Sequence, residues 1–157
     1  MVKSMDKIIF ERKLEDHLCF QLYRASKGMG KLYSQPLKPF KLTFSQYLVL
    51  LALWDKDGVS ISDIGGRTGM GIGTLNPILK RLASQEWIER EPHESDKRTM
   101  LIYLAPKASK TKHAINQAIL KKLEHVQFES MNVSVLVKQL GLLQEQLGKL
   151  DLQDDDS

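Results

Sequence analysis

The sequence predicts a mainly α-helical chain with a small β-ribbon. Apolar residues recur at intervals of three and four over most of the chain, helix-capping residues precede several of these segments, and only two short segments alternate. A length of 157 residues suits about one domain with its own core. The composition, with 42% hydrophobic and 27% charged residues, is ordinary for a globular protein.

The first two elements are predicted helices. The first is long, should stop before the loop containing Pro36 and Pro39, and has an apolar face formed by Leu14, Leu18, Leu22, Ala25, Met29 and Leu32. Thr43 can cap a second helix, whose segment "YLVLLALW" is nearly continuously apolar and therefore central to the core. This helix ends at "DKDG".

Two shorter helices follow. Ser60 caps "ISDIGGRTG", although each of its paired glycines weakens a helix by about 1 kcal/mol. Thr74 is predicted to cap the next helix, with Pro77 tolerated because it falls in the first turn. In that helix Leu75, Ile78, Leu79 and Leu82 face inward, and the residues that face outward are Asn76, Lys80, Arg81 and Ser84.

Two strand candidates and two more helices complete the chain. The strands "WIERE" and "TMLIYLA" are joined by the polar loop "PHESDKR", and Met100, Ile102 and Leu104 alternate inward. Helices are expected from about 108 to 127 and from about 132 onward. The last one repeats leucine in steps of four and three, which indicates a helix partner in the same chain or in a second copy: Leu136, Leu140, Leu143, Leu147 and Leu150.

The charge distribution favours an anionic partner. The net charge is +4, but residues 151–157 supply four of the 19 acidic residues, so residues 1–150 carry +8. The order helix, short helix, glycine turn, capped helix and basic-tipped ribbon is typical of a winged helix-turn-helix, whose second helix enters the major groove. Residues 74–85 suit that helix, since one face is apolar and the other short or basic. The alternative is a three-helix packing unit with a hairpin that has no role in binding.

The block "LTFSQYLVLLALW…GTLNPILKRLASQEWIERE…SDKRTMLIYLA" resembles the MarR family of dimeric winged-helix transcription regulators, from about Leu14 to the end of the chain. The resemblance implies one MarR-type chain over 1–157, with a DNA-binding lobe at 43–105 and a helical dimerisation region at 8–35 and 108–150. The implied partners are a second copy of the chain and double-stranded DNA with an inverted-repeat operator.

The most specific part of the resemblance is the D-x-R signature of the wing, present as Asp96, Lys97 and Arg98. It implies that Arg98 reaches into the minor groove while Asp96 braces the loop. The family's usual "LT" at the end of the second strand is "LA" here. The predicted DNA-binding residues are Thr74, Asn76, Lys80, Arg81, Lys97 and Arg98.

The chain has one cysteine, which excludes an intrachain disulfide framework and a multi-cysteine zinc site and suits a reducing cytosol. The four histidines show no close metal spacing, so neither a metal nor a cofactor is expected. The longest apolar run has 8 residues, and the start lacks the pattern of a signal peptide. We therefore expect a cytoplasmic protein without a membrane partner.

The stretch "LEDHLCFQLY" is similar to the OhrR-like, one-cysteine branch of the family, which senses organic hydroperoxides. The resemblance implies that Cys19 is oxidised, that the repressor then leaves its operator, and that tyrosines from the partner subunit bond the cysteine. Tyr23 and Tyr33 share one side of the first helix with Cys19, but the fourteen steps to Tyr33 span roughly 21 Å. Tyr33 can therefore reach only the cysteine of another subunit. The family's second cross-subunit tyrosine falls at Phe44, which has no hydroxyl.

Other interpretations of Cys19 remain open at this point. A buried cysteine often acts as a small hydrophobe, and the regulator would then respond to a small apolar or phenolic ligand between the dimer helices and the DNA-binding lobe. A thiol peroxidase would need a resolving cysteine or a general-base pair, and neither accompanies the thiol. No catalytic residues, and hence no enzyme, are predicted. The final oxidised form of Cys19 could be sulfenic acid or a mixed disulfide with a small thiol.

Overall fold

The computed structural model describes residues 13–154, with side chains described up to residue 150. Six helices and three strands lie in this range, and the chain divides into two compact units, Met1–Leu123 and Glu124–Ser157. The mainly helical fold with a small antiparallel sheet confirms the predicted fold class. The first five residues of the predicted segment 8–35, and the last three of the acidic tail, lie outside the described residues.

The first helix, α1 (Leu18–Leu37), differs from the prediction at both ends. Leu14 belongs to a separate 3₁₀ turn, Leu14–Asp16, and not to the long helix. At the other end, α1 continues through Pro36 instead of stopping before it. Proline costs most in a helix interior, and here only the fully buried Leu37 follows it, so the lost hydrogen bond falls in the last turn. A 3₁₀ turn, Lys38–Phe40, then reverses the chain.

Helix α2 (Phe44–Asp55) begins at the predicted cap. The Gln46 backbone N–H donates to Thr43 Oγ1 at 3.2 Å, and the Thr43 N–H donates to Gln46 Oε1 at 3.0 Å, which makes a reciprocal capping box. The helix supplies much of the core, as its apolar run predicts, through the buried residues Tyr47, Val49, Leu50 and Leu53.

Helix α3 (Ile61–Thr68) is capped by Ser60, as predicted. Asp63 completes the box, since its N–H donates to Ser60 Oγ and its carboxylate accepts from the Ser60 N–H, both at 3.1 Å. The preceding strand β1 (Val59–Ser60) was not predicted, because two residues show no periodicity. It exists through pairing with β3, in which Val59 lies opposite Ile102.

Helix α4 (Ile72–Ser84) corrects the prediction about its start. Gly71, not Thr74, is the N-cap, and the N–H groups of Thr74 and Leu75 both donate to the Gly71 carbonyl, at 3.1 and 2.9 Å. Pro77 therefore lies in the second turn and not the first. The predicted inward face is confirmed, since three of its residues are buried and Ile78 is half-buried.

The sheet has the order β1-β3-β2, with both pairs antiparallel. Strands β2 (Ile88–Pro92) and β3 (Met100–Leu104) form the predicted ribbon, with Ile88 opposite Leu104 and Pro92 opposite Met100. Ile102 is fully buried, while Met100 and Leu104 are half-buried. The ribbon therefore rests on the core mainly through its middle.

Helix α5 (Pro106–Leu123) starts two residues before its predicted start and ends four before its predicted end. At its start the Lys107 ammonium donates to the Gln85 carbonyl, just beyond the end of α4, at 2.9 Å and lies 4.5 Å from the centre of the Trp87 ring. Lysine at the end of a helix complements its dipole, so this contact ties α5 to α4.

Helix α6 (Val133–Asp154) belongs to the second unit and follows a 3₁₀ turn, Phe128–Ser130. Three leucines of its predicted stripe are about half exposed: Leu136, Leu147 and Leu150. No helix within the described residues is both long and apolar enough to span a membrane.

Candidate nucleic-acid interface and thiol sensor

Helix α4 separates its polar residues from its core residues. Leu75, Leu79 and Leu82 are completely buried against the rest of the lobe. The opposite side carries exposed residues that include four predicted DNA contacts: Thr74, Asn76, Lys80 and Arg81. This geometry leaves two cations and two hydrogen-bonding side chains available to an anionic partner.

The tip of the wing is held by one carboxylate. Asp96 Oδ1 accepts the Arg98 N–H at 3.0 Å, and Asp96 Oδ2 accepts the Thr99 hydroxyl at 3.3 Å. Two backbone bonds close the same loop, from the His93 N–H to the Thr99 carbonyl at 2.8 Å and from the Thr99 N–H to the Asp96 carbonyl at 3.0 Å. The side chains of Lys97 and Arg98 are exposed at this tip.

Sequence reasoning missed His93 in the wing. Its Nδ1 lies 2.8 Å from the Ser95 hydroxyl and accepts the Ser95 N–H at 3.2 Å. A histidine in a polar loop gives no sequence signal for such a contact, because the bond depends on the turn that follows it.

Cys19 is the second residue of α1 and its side chain is exposed, so it does not fill the core of its own chain. Tyr23, one turn later, is 58% exposed, and the Lys27 ammonium lies 4.9 Å from its ring centre. Tyr33 lies on the same helix, and fourteen helical residues place it about 21 Å from Cys19. The structure thus keeps Cys19 and Tyr33 of one chain apart.

The other end of α1 places Tyr33 against Phe44, the position at which the resemblance implies a tyrosine. The ring centres of Tyr33 and Phe44 lie 5.0 Å apart. Tyr47, three residues further along α2, is stacked on Tyr33 at 5.8 Å and meets Trp54 edge-on at 6.2 Å. We call Tyr33, Phe44 and Tyr47 the aromatic cluster.

Tyr47 is the member of the aromatic cluster that sequence reasoning missed. It is only 6% exposed, and burial raises the pKa of its phenol, with a further increase from the neighbouring Tyr33. Its spacing from Phe44 was the available signal, because residues three apart share a helix face. Within an almost continuous apolar run, however, a tyrosine looks like any other core residue.

The comparisons with known proteins point to one family. The model of the MarR family matches residues 42–100. The HTH-type transcriptional regulator TtmR of Methylorubrum extorquens is 40% identical over 96 residues, covering 61% of this chain and 49% of TtmR. The organic hydroperoxide resistance transcriptional regulator of Bacillus subtilis is 41% identical over 92 residues, covering 59% of this chain and 63% of that regulator. The matches thus span about half of the first relative and under two thirds of the second.

Solved structures extend the similarity over most of the chain. The crystal structure of AbfR of Staphylococcus epidermidis has a TM-score of 0.74 at 32% identity, covering 84% of this chain and 91% of AbfR. Reduced AbfR bound to DNA gives a TM-score of 0.72 at 34% identity, with 83% and 91% covered. AbfR has also been solved overoxidised on DNA and in a disulfide form.

Proposed function

The chain belongs to the MarR family, and on that premise we propose that it is a homodimeric transcription regulator, a repressor, whose operator affinity falls when an organic hydroperoxide oxidises Cys19. The observation that carries the proposal is the separation of exposed Cys19 from the aromatic cluster on one chain. Two chains related by a two-fold axis would place each thiol beside the other chain's Tyr33. The protein would act in the cytoplasm, where its DNA and a reduced thiol are both found.

Residues 43–105 supply the proposed DNA-binding surface. Residues at the start of α4 would face base edges in the major groove, while Lys97 and Arg98 of the wing would approach the minor groove. The charge of +8 on residues 1–150 supports attraction to phosphate. A symmetric dimer implies an inverted-repeat operator with half-sites about one turn, ~10 bp, apart.

Exposed apolar residues near the start of the described chain support the dimer. Leu14 and Leu18 are 59% and 63% exposed, and Tyr23 is close to the same value. In the second unit, α6 has its own exposed leucine stripe. We propose that a second copy covers these surfaces, with 8–35 and 108–150 as the dimerisation region, because burying apolar area stabilises by about 25 cal/mol per Å².

The proposed chemistry is a two-electron oxidation of one sulfur. The Cys19 thiolate attacks the terminal oxygen of the hydroperoxide, an S–O bond forms, the O–O bond breaks, and the leaving alkoxide takes up a proton to become an alcohol. The resulting sulfenic acid can react with a small thiol, which forms an S–S bond and releases water. Overoxidised AbfR has been solved on DNA, so we expect the bulkier mixed disulfide, rather than added oxygen, to be the form of this chain that leaves DNA.

The experiment compares operator binding by the wild type and Cys19→Ser, each untreated, with cumene hydroperoxide, and with hydroperoxide followed by free cysteine. Wild type should lose operator affinity after the combined treatment, and Cys19→Ser should keep it under all conditions. Release of both proteins, or of neither, would overturn the redox proposal.

A groove of about 310 Å³ supports the second candidate, a regulator released by a small apolar or phenolic ligand. It is lined by Leu48, Leu51, Ala52, Arg67 and Thr68. The Arg67 guanidinium already bonds the Asp55 carboxylate at 2.9 Å and the Ala52 carbonyl at 3.1 Å, so an anionic ligand would have to compete for it. Release of Cys19→Ser from DNA by a phenolic ligand would favour this candidate over the redox proposal.

A further inference from the structure

Tyr47 is a buried phenol that the proposed sensor does not use. Its ring is held between Tyr33 and Trp54, and the residue is only 6% exposed. Among the described residues its hydroxyl makes no hydrogen bond, yet the oxygen is not one of the fully buried atoms that lack a partner. The hydroxyl therefore lies at the surface of its own chain, although the ring beneath it is buried, and it is open to a hydrogen-bond partner from a second chain.

The position of Tyr47 narrows the choice of that partner. The side chain lies against Tyr33, the phenol assigned to the partner subunit's Cys19, and one helical turn from Phe44. Phe44 occupies the place of the family's second cross-subunit hydroxyl and lies 5.0 Å from Tyr33. The aromatic cluster thus still has two phenols, Tyr33 and Tyr47, but the second lies one turn of α2 after the position of Phe44.

We infer that Tyr47 supplies the second phenol of the thiol sensor and donates a hydrogen bond to the partner subunit's Cys19 in place of the hydroxyl that Phe44 lacks. This inference rests on the proposed function. The raised pKa of Tyr47 keeps its hydroxyl protonated at neutral pH, so that it can donate. The proton stays on the phenol while the sulfur carries negative charge, and the bond favours the thiolate that attacks the hydroperoxide.

The test measures the rate at which Cys19 of the intact protein reacts with iodoacetamide and with cumene hydroperoxide at pH 7. Tyr47→Phe keeps the ring and removes the hydroxyl, and it should slow both reactions three- to tenfold. Phe44→Tyr combined with Tyr47→Phe moves the hydroxyl by one turn and should restore most of the rate. Tyr103→Phe is the matched control, because it removes a hydroxyl on β3 and should leave the rate unchanged.

The readouts separate this role from packing. If Tyr47 had only a structural role, Tyr47→Phe would lower the unfolding midpoint, and adding Phe44→Tyr would not restore the rate at which Cys19 reacts. Wild-type rates in Tyr47→Phe, or a double variant as slow as Tyr47→Phe, would overturn the inference. If wild type keeps its operator after oxidation, the proposed function fails, but the alkylation rates still decide whether Tyr47 acts on the thiol.

A second, independent inference concerns Ile72, the first residue of α4. Its side chain is 64% exposed, although isoleucine is an apolar residue. It stands between Gly71 and Gly73, where an added Cβ would meet no atom within 4 Å. The start of α4 is therefore an open backbone surface with one projecting apolar side chain.

We infer that Ile72 contacts a thymine methyl group in the major groove, which would deepen the proposed DNA-binding function by naming a base. Residues at the start of a recognition helix contact base edges, and the C5 methyl of thymine is the apolar group presented there. The small neighbours allow the backbone to approach closely, so a branched side chain at this point can reach the methyl.

The test uses an operator that the wild type selects from a randomised duplex library. Replacing each thymine in turn by deoxyuridine removes only the methyl group, and one position in each half-site should weaken wild-type binding three- to tenfold. Ile72→Ala should bind the thymine and deoxyuridine duplexes equally there, while Ile72→Val should still discriminate. An Ile72→Ala variant that discriminates like wild type, or a wild type indifferent at every position, would overturn the inference. Failure to select any operator would instead count against DNA binding itself.

Discussion

The DNA-binding lobe and the first half of α1 differ in how far their apolar residues are buried within one chain. In the lobe, Leu50, Leu75 and Ile102 are completely buried by the same chain. Helix α1 buries only its last residue, Leu37, while Leu18 and Tyr23 near its start remain more than half exposed. The lobe is therefore complete within one chain, whereas the segment around Cys19 presents a surface that our proposal completes with a second copy.

Leucine truncation in each region should give the largest contrast. Leu79→Ala opens a cavity at a fully buried position and should lower the free energy of unfolding by about 2–5 kcal/mol. Leu18→Ala removes an exposed side chain and should leave lobe unfolding nearly unchanged while weakening dimer association. Urea unfolding followed by fluorescence, with sedimentation over a concentration series, separates the two effects. If Leu79→Ala and Leu18→Ala reduced the free energy of unfolding by the same amount and weakened dimer association equally, the distinction between the two regions would be wrong.

Changing one hydroxyl in the aromatic cluster tests whether α1 chemistry depends on the other chain. A hydrogen bond to a charged group contributes on the order of 1.5–3 kcal/mol. Tyr33→Phe should slow alkylation of Cys19 about tenfold at pH 7, and Phe44→Tyr should accelerate it. The rates are measured against pH for both variants and wild type. Three coincident profiles would mean that the phenols do not govern the thiol.

A change in the wing should affect the lobe alone. Arg98→Ala removes one proposed DNA contact and should weaken binding several-fold across many sequences, with the salt dependence reduced by about one ion. The matched control is Lys27→Ala on α1, which removes a cation without altering the wing. Titrations of labelled duplexes at several salt concentrations provide the measurement. An unchanged affinity and salt slope for Arg98→Ala would refute the role assigned to the wing.

The same two regions show how far the sequence predicts this molecule. Capping boxes are local, so Thr43 and Ser60 identify their helix starts correctly. Strand β1 could not be predicted, because its two residues are a strand only through pairing with β3. The start of α4 was misplaced because Gly71 offers no side-chain signal, while Thr74 is a strong capping residue by type.

The site follows the same physical rule. The exposed positions on α4 follow from helical periodicity, which is a local property. The role proposed for Tyr47 does not follow from periodicity, because it depends on a ring contact with Tyr33 of another helix. Sequence therefore predicts what neighbours along the chain decide, and it misses contacts that the tertiary fold creates.

The smallest expected effect is a pH dependence of the cap on α3, inside the lobe. Hydrogen bonds from the Ser60 backbone N–H and then from its side chain hold the pKa of the Asp63 carboxyl below its usual value, near 3.8. A carboxyl whose pKa is lowered by folding stabilises the protein fully above its unfolded pKa. That contribution is lost as the pH falls through the folded value. Asp63→Asn should therefore unfold at slightly lower urea than wild type at pH 7.

The difference between the two proteins should shrink as the pH falls below about 4. Urea midpoints measured from pH 7 to pH 3 provide the test. Ser60→Ala is the matched control, because it removes the bond from the Asp63 N–H to Ser60 Oγ but keeps the backbone N–H that the carboxylate accepts, so it should retain most of the acid-sensitive component. A gap between wild type and Asp63→Asn that stays constant down to pH 3 would show that the carboxylate charge does not stabilise this cap. The contrast between the lobe and α1 would then lie in apolar burial only.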